Sequence, residues 1–125
     1  MKTRATLCAT LLAFAALTGC SSGSDDKPDA PAYEITAQDD SGNSRDVEVT
    51  VDSAKDLKAV FDAVTTDLTD EAGYHVYINC STGGTAKMDN RLANGRLARG
   101  TMGEATTGLK DGESEFEAVE GHTCP

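Results

Sequence analysis

Lys87, Arg91, Arg96 and Arg99 fall close together in a 125-residue chain whose formal net charge is −10, with Asp89 as the only acid among them. A guanidinium fork matches carboxylate and phosphate groups, so this run is the candidate surface for an anionic ligand or a partner protein. The plainer reading is that these cations balance carboxylates of the same domain. His75 and His122 are the two histidines. Either needs a base, a nucleophile or a metal beside it to do chemistry, and no sequence neighbour supplies one. Ser81 and Thr82 follow an alternating run, but no nucleophile elbow frames them. Gly83-Gly84 lacks the spacing to a Lys-Ser/Thr pair that makes a phosphate loop. The many Asp and Glu residues cannot be paired across a cleft from spacing alone.

A second chemical feature lies near the N-terminus. Lys2 and Arg4 precede a mostly apolar run from Ala5 to Leu17, the order of a secretory signal. Thirteen helical residues cover roughly 20 Å, short of the ~30 Å of a bilayer's hydrocarbon, so the run is not a membrane span. Ala13-Phe14-Ala15 offers an ordinary small-x-small cleavage site, whereas Leu17-Thr18-Gly19-Cys20 closes the run with small residues before a cysteine. Removing the leader discards Cys8 and leaves Cys20, Cys80 and Cys124, an odd number for a secreted protein. The Leu17-to-Cys20 motif resembles the lipobox of bacterial lipoproteins. That resemblance implies a diacylglyceryl thioether on Cys20 and an acylated amino terminus, enough lipid for stable anchoring. With Cys20 acylated, Cys80 and Cys124 are free to pair in an oxidising compartment, which leaves neither a thiol nucleophile nor a zinc site. Farther along, Asn90-Arg91-Leu92-Ala93-Asn94-Gly95 with a later Cys124-Pro125 resembles small secreted actinobacterial proteins, a resemblance that implies no activity for any residue.

Residues 21–32, Ser-Ser-Gly-Ser-Asp-Asp-Lys-Pro-Asp-Ala-Pro-Ala, have the composition of a linker. A dozen such residues span on the order of 20 Å. Without Lys2 and Arg4, 9 of the 11 basic residues remain against 21 acidic ones, a net charge of about −12. Such a chain repels nucleic acid and anionic lipid, and its acidity serves solubility or attracts cationic partners. The stretch from Tyr33 to Pro125 fits one domain; with no Trp, its core must be modest, and a covalent staple matters more.

The elements that must hold these residues are read from periodicity. Residues 33–37 and 46–51 alternate as strands around Asp39-Asp40-Ser41-Gly42-Asn43, a hairpin turn without the ligand spacing of a calcium loop. Ser53, with Asp56 three residues on, predicts a capped helix start. Leu57, Val60, Phe61, Val64 and Leu68 make its buried stripe, and Gly73 is its expected stop. Residues 74–80 alternate, with Tyr74, Val76, Ile78 and Cys80 facing the helix. Ser81 to Ala86 reads as loop. Asn94-Gly95 is a hairpin signal between two Arg-Leu-Ala segments, with a short helical turn ending at Gly95 as the alternative. Gly100, Gly103 and Gly108 predict mostly loop with at most a short helical turn, and residues 113–120 form the last strand with Phe116 and Ala118 on one side.

The expected organisation is a signal peptide (1–19), a lipid-anchored flexible tether (20–32) and a single α+β domain (33–125). One helix packs on a small, mainly antiparallel sheet, in the order β-β-α-β-β-β. The expected location is the extracytoplasmic face of the cell membrane. The expected function is a non-catalytic binding or inhibitory module, reading an envelope protein or anionic ligand through Lys87, Arg91, Arg96 and Arg99. No catalytic residue, metal ligand, cofactor or nucleic-acid contact is expected. A small envelope hydrolase and a structural envelope protein are the alternatives. A deep polar cleft joining His75 to two carboxylates would mark the hydrolase, and a flat exposed surface of Arg and aromatic side chains the binding module.

Overall fold

A computed structural model of the protein describes residues 30–125. The leader and Cys20 lie outside the described residues. Seven elements follow in order: β1 (Tyr33–Gln38), β2 (Ser44–Val51), α1 (Leu57–Thr66), β3 (Ala72–Thr85), β4 (Met88–Arg99), α2 (Gly100–Thr107) and β5 (Ser114–Ala118). The strands form one sheet in sequential order. All neighbours are antiparallel except β2 and β3, which run parallel because α1 carries the chain back across the sheet between them. The class is α+β as the periodicities indicate, but α2 makes the element order differ from the one-helix expectation.

The core lies between α1 and one face of the sheet. Val47, Val49 and Val51 of β2 alternate inward beside Tyr74, Val76, Ile78 and Cys80 of β3, and all are buried. Leu57, Val60, Phe61 and Val64 cover them from α1, as the helical stripe predicts. Phe61 meets Phe116 of β5 in a tilted ring pair with centroids 5.5 Å apart.

The helix starts and stops elsewhere than its sequence signals. Ser53 Oγ accepts from the Lys55 amide and does not cap α1; the N-cap is Asp56, in the left-handed region at φ 54°. At the other end the helix closes at Thr66, with Asp67 as C-cap donating its amide to Val64. Arg99 then reaches from the end of β4 to donate from Nε to Leu68 O (2.8 Å) and from Nη2 to Thr65 O (3.2 Å). Leu68 O lies past the last helical turn and has no partner within the helix, whereas Thr65 O also accepts from the Leu68 amide, so the guanidinium supplies a donor to the one and a second bond to the other. Arg99→Met keeps the apolar stem and removes the donors; it is expected to cost about 1–3 kcal/mol in urea unfolding, the penalty for taking the donor from the part-buried Leu68 carbonyl.

Gly73 therefore ends nothing. It pairs with Ala98 within the sheet, and a Cβ there would lie 2.0 Å from Thr106 Oγ1 of α2. The glycines expected to break structure after β4 instead build α2 and seat it. Gly100 (φ 67°) turns the chain into the helix, Gly108 (φ 77°) caps it, and Gly103 lies so close that a Cβ would fall 2.6 Å from Ala72 O. Thus α2 packs over the sheet face opposite α1, at the end holding Gly73 and Ala98.

Asn94-Gly95 is likewise not a turn. Residues 88–99 form one strand, and the hairpin closes between Thr85 and Met88, so β3 runs on through the expected loop. The reason is steric: a Cβ at residue 95 would stand 2.1 Å from Phe61 Cε2. Gly95 is the floor under the Phe61 ring.

Cys80 and Cys124 are joined by a disulfide, with Cα atoms 5.4 Å apart. The chain after β5 crosses β4 to reach it. Val119 donates its amide to Leu92 O, His122 Nδ1 lies 2.6 Å from Arg91 O, and Asn90 Nδ2 donates to Thr123 O.

Candidate functional site

Strand register decides which polar side chains meet on the sheet face that α1 does not cover. One row runs Asp46, His75, Arg96, Glu115 across β2 to β5; the next runs Glu48, Tyr77, Asn94, Glu117; a third runs Thr50, Asn79, Arg91. Residue 92 is the extra residue of a β-bulge opposite the Ile78–Asn79 step, and it shifts Arg91 onto this face beside Asn79. Because α2 covers only the Gly73 end, the remainder of the face is open. His75, Tyr77, Asn94, Arg96, Glu115 and Glu117 line a concavity of about 690 Å³ there.

Arg91 is held flat. Its guanidinium carbon sits 4.4 Å from the centroid of the Tyr77 ring, Nε donates to Asn79 Oδ1 at 2.6 Å, and Nη1 donates to Asn94 Oδ1 at 2.7 Å. All three partners are neutral, and Arg91 has no carboxylate partner among the described residues. Arg96 differs: it is clasped by the Glu115 carboxylate while Nη1 donates to Thr107 O at 2.9 Å. Tyr77 O–H donates to Asp46 Oδ1 at 3.5 Å. Burial and the Asp46 charge push the Tyr77 phenol above its usual pKa, while Arg91 pulls the other way.

The four cations that the sequence groups are thus separated. Arg91 and Arg96 share the open face, Arg99 serves the end of α1 on the other face, and Lys87 stands in the β3–β4 turn. Charge balance within the domain accounts for Arg96 and not for Arg91. Sequence reasoning misses Tyr77 and the two asparagines as site residues; the one available signal is the period of two through residues 74–80, which puts Tyr77 on the same outer face as His75.

His75 Nδ1 lies 3.7 Å from Asp46 Oδ1 and 3.5 Å from Ser44 Oγ. A Ser-His-Asp relay requires the serine and the carboxylate on opposite ring nitrogens, and here both approach the same one. Among the described residues no group of three or more His, Cys, Asp or Glu is placed to hold a metal ion, and no helix is long and apolar enough to cross a membrane. No family model matches the chain, and no curated protein or solved structure matches it.

Proposed function

We propose that the protein is a membrane-anchored lipoprotein, held through lipid on Cys20 at the extracytoplasmic face, whose domain is a non-catalytic binding module for an envelope protein or an anionic ligand. The observation that carries this reading is Arg91, stacked on Tyr77, oriented by two neutral amides and left without a carboxylate on an open sheet face. A guanidinium fixed in this way loses little freedom when it meets an acidic group, and Arg and Tyr are among the residue types enriched where interfaces concentrate their binding energy. The surrounding Asp46, Glu48, Glu115 and Glu117 give cationic groups of the same ligand a place to sit.

Capture of envelope proteins and glycans by the mature chain, followed by titration with the isolated ligand, tests the proposal. Tyr77→Ala and Arg91→Ala are each expected to weaken binding about tenfold or more, equivalent to at least ~1.4 kcal/mol. Arg99→Met, on the opposite face, is expected to leave affinity unchanged. Equal capture by all variants would remove this face as the binding surface.

A further inference from the structure

The tether and the β3–β4 hairpin belong to the same end of the sheet. Register aligns Tyr33, the first residue of β1, with Val51, Cys80 and Asn90, so the chain leading back to Cys20 leaves the domain at the level of the disulfide. Beyond that level project residues 81–89, all exposed. The β4 arm extends two residues past Asn90 to Met88, about 7 Å at strand rise, and the turn residues 86 and 87 lie farther out. Met88, at 74 % exposure, is the most exposed of the large apolar side chains among the described residues. Lys87 beside it forms no ion pair among the described residues, and Lys55 in the loop before α1 also lies at this end without one. The acids at this end include Asp52, which accepts from Ser81 Oγ, together with Asp56 and Asp89.

We infer that the β3–β4 hairpin tip is a membrane-contacting finger: Met88 enters the headgroup layer and Lys87 pairs with lipid phosphate. The inference rests on the lipid-anchor reading. The tether's roughly 20 Å is a typical span, not a fixed one, so its shorter excursions bring the hairpin tip, the part of this end that projects farthest, to the bilayer. An apolar side chain flanked by a lysine suits the headgroup boundary. One such contact is weak alone, but the tether makes it intramolecular, which is the condition under which a weak second contact takes effect. Its consequence is orientation. The finger turns the tether end toward lipid and holds the Arg91–Tyr77 face to the side, accessible to partners.

The mature chain carries two methionines that report on this directly, because Met102 lies at the far end of the sheet, where its amide meets Glu71, and is 43 % exposed. The chain from Cys20 onward is coupled through the Cys20 thiol to maleimide lipid in phosphatidylcholine vesicles, whose headgroups offer the phosphate without the net negative charge that this acidic chain repels. It is treated with a water-soluble oxidant, and sulfoxide at each methionine is measured by mass spectrometry against the uncoupled chain. Coupling is expected to slow oxidation of Met88 several-fold with little change at Met102, and Lys87→Glu is expected to restore the rate at Met88. Equal rates at Met88 with and without vesicles, or equal slowing of both methionines, would overturn the inference. Because the lipid is attached chemically, this result is independent of processing in cells. The anchor reading is tested separately by the mass of the N-terminal peptide recovered from membranes, and an unmodified Cys20 would sink that reading alone.

Discussion

Replacing Cys80 and Cys124 together by alanine is expected to lower the free energy of unfolding by roughly 4 kcal/mol, read as a fall in the urea midpoint with a steeper slope, since the unlinked chain unfolds to a more expanded state. The bridge joins positions 44 residues apart, and a loop of that size restricts the unfolded chain strongly. For a domain whose whole margin is on the order of 5–15 kcal/mol, the loss is large. It also reaches the site. The segment that the disulfide holds carries His122, whose Nδ1 meets Arg91 O, and Thr123, whose carbonyl accepts from Asn90. Freed of its anchor, that strap no longer fixes the backbone of Arg91, so the variant is expected to bind its ligand more weakly even where it remains folded. A loss below about 1 kcal/mol would show that these hydrogen bonds hold the strap without the covalent link.

Phe61→Ala is expected to cost about 3–5 kcal/mol, the range for truncating a fully buried aromatic side chain. The ring fills the space above Gly95 and contacts Phe116, joining α1 to the two last strands of the sheet. The converse change, Gly95→Ala, puts a methyl group where Phe61 Cε2 stands and is expected to cost about 1–3 kcal/mol through overpacking. The two are one contact seen from both sides. In a double-mutant cycle, Gly95→Ala is expected to be far less harmful once residue 61 is alanine, because the clash has gone. Strict additivity of the two losses would mean that Phe61 does not rest on Gly95.

How far the sequence reaches is clearest at particular elements. The stripe from Leu57 to Val64 and the alternation through Tyr74 to Cys80 identify the core faces of α1 and β3, because burying one side of a periodic element leaves its period in the residue types. The last strand, with Phe116 inward and Glu115 and Glu117 outward, is legible for the same reason. Cysteine arithmetic finds the Cys80–Cys124 pair. Glycine is where local reading fails. Gly73, Gly95 and Gly103 look like stops and turns, yet each is present because another element presses against it, and the pressing side chain or backbone lies far away in the chain. Local sequence cannot distinguish a glycine chosen for its torsion angles from one chosen for its missing Cβ.

The site divides along the same line. That residues 75, 77 and 79 share a face follows from a period of two, and that Arg91 and Arg96 are unusual cations follows from composition. Which cation stays without a carboxylate does not follow. It depends on the parallel pairing of β2 with β3, which sets Asp46 beside His75, on the bulge at residue 92, which turns Arg91 toward Tyr77 and Asn79, and on β5, which delivers Glu115 to Arg96. The sequence by itself determined the side chains, their periods and the pair of cysteines. Only the tertiary structure decided their register, because neighbours across a sheet are chosen by packing against α1 and by the position of one extra residue, neither of which leaves a local mark on the chain.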